Sequence, residues 1–171
     1  MFKLVDNRKH KVNVLIVDDK IENLFALEKM LAGDDRVFHK ATSWKIGLKL
    51  LLNKEIALIL LDVQMPDLDG FEVANLLKSN PKTKNIPILF VTAISKEARY
   101  VIQGYDSGGV DYLFKPLDVD ITRAKVNTFI RLYKQQRGLH VKNEELENLS
   151  SLVNNSLNVT CVFNKENFKI S

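Results

Sequence analysis

One cysteine, Cys161, and three scattered histidines are all the thiol and imidazole ligands the 171 residues contain. An internal disulfide and a Cys/His metal cluster are thereby excluded, and any metal is expected to be held by oxygen. Long apolar runs are missing too. None approaches the roughly 20 residues of a membrane helix, and the opening MFKLVDNRKHK has no apolar core of the kind a signal peptide needs. A cytoplasmic chain without a membrane partner is the expectation. Positive charge is scarce where the motifs lie: residues 1–120 balance 17 basic against 17 acidic side chains, and the net +4 comes wholly from 8 basic and 4 acidic ones in 121–171. There Arg123, Lys125, Arg131, Lys134 and Arg137 run without an intervening acid. They form either a phosphate-binding stripe or a solvated helix face, the latter being the commoner origin of such a run. With no helix-turn-helix pattern in the tail, direct binding of nucleic acid is not expected.

What is present is a globular mixture, 46% hydrophobic and 27% charged, of a length that suits one domain and an appendage. VNVLIV (residues 12–17) is a β-branched run, and IENLFALEKML after it places Ile21, Leu24, Phe25, Leu27 and Leu31 near helical spacing. The alternation recurs as RVFHKA with SWKIGLKLLLNK, IALILL with GFEVANLLKSN, PILFVT with KEARYVIQGYDSG, and VDYLF with DVDITRAKVNTFIRLYKQQ. Five strand–helix units with such apolar strands predict a parallel sheet covered on both faces, a doubly wound α/β fold. Gly108–Gly109 should end the fourth helix.

The fifth helix is expected to run on. Leu132, Leu139, Leu146 and Val153 recur every seven residues, with Phe129, Gln136, Asn143 and Ser150 three places earlier, a heptad seam interrupted only by Gly138. The seam either pairs with a second copy to form a homodimer or folds back on its own domain. The expected organisation is an N-terminal segment over 1–11, the main domain over 12–137 and a helical, coiled-coil linker over 138–156. LNVTCVFNKENFKI, with two β-like runs around Asn164–Asn167, is expected over 157–171 to begin a further, PAS-like domain.

Ligands of an open parallel sheet bind beyond the carboxyl ends of its strands. Strand one ends there in Asp18–Asp19, strand three in Asp62, strand four in Thr92 and strand five in Lys115–Pro116. Clustered carboxylates repel unless a divalent cation neutralises them, and a hard ion such as Mg²⁺ takes oxygen ligands while leaving positions for a phosphate. Asp62, at the end of the most apolar strand, is the candidate nucleophile. Lys115 is placed to offset charge on phosphoryl oxygens and Thr92 to donate a hydrogen bond to one. Taken alone, Asp18 and Asp19 would equally suit the cap of the helix starting at Ile21, Asp67 and Asp69 a turn, and Gly70 a backbone demand of the loop.

Over about residues 12–137 the chain resembles a two-component response-regulator receiver domain. VDD at 17–19 resembles that family's acidic pair, LLDVQMPDLDG at 60–70 its phosphoacceptor loop, VTA at 91–93 its Thr/Ser–Ala step and DYLFKP at 111–116 its Lys–Pro motif. The resemblance implies a flavodoxin-like (βα)5 sheet of order 2-1-3-4-5 and phosphorylation of Asp62 by a histidine kinase or phosphotransfer protein. It implies Mg²⁺ held by Asp19, Asp62 and the backbone carbonyl of Gln64, with Asp18 reaching it through water, and a cis Lys115–Pro116 bond. It also implies a switch in which Thr92 moves toward the phosphoryl group and Tyr112 turns inward, changing the surface of helix four, strand five and helix five. The chain would then be no enzyme beyond slow self-catalysed gain and loss of its own phosphoryl group. A longer parent, such as a hybrid sensor kinase, is where a catalytic activity would reside.

Rival functions meet specific obstacles. A haloacid-dehalogenase-like Mg²⁺-dependent phosphatase is the alternative, yet it needs a second carboxylate two residues after the nucleophile, where Gln64 stands. A flavodoxin-like nucleotide binder needs a first loop that cradles phosphate, and DDKIEN is acidic.

Overall fold

In the computed structural model, which describes residues 11–67, 69–93 and 111–166 with side chains as far as 155, the alternation becomes a single parallel sheet. Its strands are β1 (Val12–Val17), β2 (Arg36–Ala41), β3 (Leu58–Asp62), β4 (Ile88–Thr92) and β5 (Asp111–Phe114), ordered β2-β1-β3-β4-β5. Helices α1 (Ile21–Leu31), α2 (Trp44–Asn53) and α3 (Gly70–Ser79) connect them, and α4 (Val119–Glu166) follows β5. Helix α4 is the one read from the sequence as the fifth. The expected fourth helix and Gly108–Gly109 lie outside the described residues.

Alternation along the strands explains both layers. Leu15, Val17, Ile59, Leu61 and Phe90 share a core with Val73, Ala74 and Leu77 of α3, and Trp44, Leu48 and Leu51 of α2 pack against it. The intervening Val14, Ile16, Leu58 and Leu60 point by strand periodicity to the other face, where Leu24, Leu27 and Leu31 of α1 and Val126 and Ile130 of α4 are buried. Two side chains tie those helices down: Arg123 Nε donates to Met30 O at 2.8 Å, and Arg36 Nη2 to Asn127 Oδ1 at 2.8 Å. β3 is buried at all five positions, so its closing carboxylate is carried into the middle of the sheet's carboxyl edge.

By its internal contacts the chain divides at residues 131 and 132. In the second unit α4 continues through Gly138, whose cost of about 1 kcal/mol a 48-residue helix absorbs. It also continues through Glu166, which corrects the expectation of β-like runs over 157–163. β-branched residues such as Val159 and Thr160 lose only a few tenths of a kcal/mol in a helix, and a strand needs a neighbour to satisfy its backbone. The sheet among the described residues has five strands, all from the first unit. The helix satisfies its own backbone.

Candidate functional site

Four of the expected side chains converge. Oxygen atoms of Asp18, Asp19 and Asp62 lie within 4.8 Å of one another, and Lys115 Nζ stands 2.9 Å from Asp62 Oδ1 and 3.7 Å from Asp18 Oδ2. Backbone pairing sets this geometry. Asp18 N donates to Ala41 O, Val63 N to Val91 O and Lys115 N to Thr92 O, so each residue just past its strand is still held in register by the next. Lys115–Pro116 is cis, as the resemblance implied.

Asp18 and Asp62 are only 1% and 3% exposed. Burial pushes the Asp62 carboxyl above its usual range; the Lys115 hydrogen bond pulls it down, and the charges of Asp18 and, less strongly, Asp19 push it up. One ammonium therefore sits against two buried carboxylates, with a third acid beside them. A buried Asp19 Oδ1 has no hydrogen-bond partner among the described residues. Buried polar atoms are normally satisfied. An orphaned carboxylate oxygen beside two other acids is what an oxygen-liganded divalent cation would complete, so the donor set fits Mg²⁺.

The remaining expected residues flank this centre. Thr92 closes β4 and is 1% exposed. Tyr112 is paired in register with Phe90 and stacks on it at 5.4 Å between centroids, with Phe114 on its other side at 6.2 Å. Burial, and secondarily Asp111, raises its phenol pKa. It belongs to an aromatic row that reaches Phe71 of α3 through Phe90, and it is not among the clustered acids. The Gln64 side chain is exposed.

Other readings change. The residue preceding α1 in the capping position is Lys20, without a side-chain cap, so the acidic pair does not cap that helix. Asp67 is a turn residue, in the left-handed region at φ 76°. Asp69 is more than a turn: its Oδ1 accepts from Phe71 N and Glu72 N, and Glu72 Oε2 accepts from Asp69 N, a reciprocal cap on α3. The Asp-x-x-Glu spacing was the available signal. Asn23 was missed altogether. Its Nδ2 donates to both oxygens of Asp18, at 3.0 and 2.9 Å, and its only mark in the sequence is a place one helical turn beyond the acidic pair.

Sheet order and site together define a flavodoxin-like, doubly wound α/β domain with an acid–lysine centre where the strand order reverses. Residues 14–127 match the response regulator receiver domain family, and the chain belongs to it. It is a receiver of two-component signalling. A probable cyclic di-GMP phosphodiesterase of Vibrio cholerae is 34% identical over 147 residues, covering 86% of this chain and 33% of that protein. The response regulator PleD of Caulobacter vibrioides is 36% identical over 69% of this chain and 26% of its own length. The chain thus spans a third or less of these two relatives. Among solved structures, a Francisella response-regulator receiver domain superposes with a TM-score of 0.62 at 28% identity, covering 74% of this chain and 99% of that one. No helix among the described residues is long and apolar enough to cross a membrane.

Proposed function

We propose that the domain is a Mg²⁺-dependent phosphoacceptor switch centred on Asp62. The observation that carries the reading is the Lys115–Asp62 contact of 2.9 Å in a three-carboxylate cluster, two of whose members are buried and one of which has an orphaned oxygen. An Asp62 oxygen attacks the phosphorus of a phosphohistidine or small acyl phosphate; the P–O bond to Asp62 forms as the donor's P–N or P–O bond breaks, and the donor leaves with the electron pair. Lys115 partly offsets the burial that pushes the Asp62 pKa up and then pairs with the transferred oxygens, and the Thr92 hydroxyl donates to one of them. Asp19, Asp62 and the Gln64 carbonyl would hold the ion, with Asp18 acting through water. When bound, the ion offsets the negative charge that collects as phosphate meets carboxylate.

The output is a change at the edge formed by β5 and the start of α4, driven by Thr92 and Tyr112. Tyr112 suits the role because it is half-buried and held by ring stacking, with no side-chain hydrogen bond to break among the described residues. The phosphodonor is a histidine kinase or phosphotransfer protein. A receiver controlling an output activity in a longer protein agrees with the span of the relatives, one of them named a probable phosphodiesterase. Incubation with Mg²⁺ and a small acyl phosphate should add one acid-labile phosphoryl group by intact mass. Equal labelling in excess chelator would sink the metal-dependent part.

Signal passage through α4 involves pairing with a second copy. Leu139 and Leu146 are each 63% exposed and Val153 56%, an apolar seam that a parallel partner helix would bury. Leu139→Lys with Leu146→Lys should weaken dimers by at least tenfold, on the order of 1.4 kcal/mol or more. Sedimentation of the unaltered chain as a monomer at high concentration would end this proposal.

A further inference from the structure

The three carboxylates differ in what already occupies them. Asp18 Oδ1 accepts from Lys20 N at 2.9 Å and Asn23 Nδ2 at 3.0 Å; Oδ2 accepts from Asn23 Nδ2 at 2.9 Å and has Lys115 Nζ at 3.7 Å. Asp19 Oδ1, by contrast, is buried with no donor among the described residues. To enter the inner sphere of a cation, Asp18 must surrender protein hydrogen bonds that Asp19 never made. One amide reaches both oxygens of the carboxylate, which lie side by side as seen from Nδ2, so that one N–H is shared between them as a three-centre bond.

We propose that Asn23 determines which ion the acidic centre prefers, by holding Asp18 on protein donors and leaving Asp19 and Asp62 as the carboxylates open to direct ligation. The inference rests on the proposed divalent-cation site and assigns it a selectivity device. Mg²⁺ keeps several waters and is content with one or two carboxylates in a strict octahedron, whereas Ca²⁺ collects six to eight oxygens in a looser shell. A third carboxylate locked away from the ion limits the protein oxygens on offer and favours the smaller cation. Freeing it favours the larger one. Asn23 is a positioning residue in this account, since it touches Asp18 and not the ion, and such outer contacts commonly matter as much as a ligand. Alanine is a better helix former than asparagine, so Asn23→Ala within α1 removes the two hydrogen bonds without weakening the helix.

The test is displacement of Mn²⁺ from the full chain by Mg²⁺ or by Ca²⁺, followed through the EPR signal of free Mn²⁺. Asn23→Ala should move the ratio of Ca²⁺ to Mg²⁺ affinity toward Ca²⁺ by about tenfold, the lower end of effects seen for outer-shell partners. Adding Asp18→Asn to that variant should return the ratio to the parent's, because the freed ligand is gone. A ratio unchanged in Asn23→Ala, or one that the second substitution does not restore, overturns the inference while leaving the cation site standing. A parent chain that binds no Mn²⁺, or binds it equally well after Asp19→Asn, overturns the site and the inference together.

Discussion

Asp62→Asn should abolish phosphoryl labelling by a small acyl phosphate and, in the absence of divalent cation, raise the stability of the fold. The first effect follows from the nucleophile: a neutral amide is far less nucleophilic than a carboxylate, and Lys115 and the metal have no acyl phosphate to stabilise. The second follows from where the charge sits. Burial and the neighbouring acids raise the Asp62 pKa, with Lys115 only partly opposing them. A carboxyl that binds its proton more tightly folded than unfolded makes stability fall as pH rises from the unfolded value, about 4, through the raised one. Urea unfolding across that window should decline for the parent relative to the Asn variant, with the gap widest above it. Mg²⁺ should reverse the order, because an ion that binds the folded parent stabilises it by mass action and the variant lacks a ligand. A variant labelled as fully as the parent would move the phosphoacceptor elsewhere.

Much of this molecule was legible because its strands are short apolar runs that stop on polar residues. VNVLIV and RVFHKA became β1 and β2 with the bounds read from the sequence, and the convergence of Asp18, Asp62 and Lys115 followed from the rule that ligands gather at strand carboxyl ends. The parts that escaped depend on distances between segments. Nothing in DDKIEN says that the asparagine turns back to bridge both oxygens of Asp18, because that contact needs the exact departure of α1 from β1. The far end of α4 was misread for a different reason. LNVTCVF is rich in strand formers, but preference for strand is largely preference for neighbours, and the sheet's described strands all lie in the other unit.

Gly70→Ala should be the most damaging single methyl in the phosphoacceptor loop. A Cβ at position 70 would lie 2.4 Å from Asp62 O and 2.9 Å from Val63 Cα, so it meets backbone that cannot rotate away. The loop has little freedom to yield. Gly70 N donates to Val63 O at 3.0 Å, and one residue earlier Asp69 is committed to the reciprocal cap with Glu72, so shifting Gly70 outward breaks either the loop's closure or the start of α3. Moving the other partner displaces the carbonyl of Asp62 itself. Overpacking against a fixed neighbour costs about 3 kcal/mol at the upper end of its usual range, and here backbone is the neighbour. The expected result is a loss of that order in denaturant unfolding together with at least a tenfold drop in phosphorylation rate. Stability and labelling should fall together because one peptide unit serves both: the Asp62 carbonyl that the methyl strikes belongs to the residue whose carboxylate faces Lys115. An alanine variant with parent-like stability would mean that Gly70 and Asp62 are further apart in solution than this packing requires.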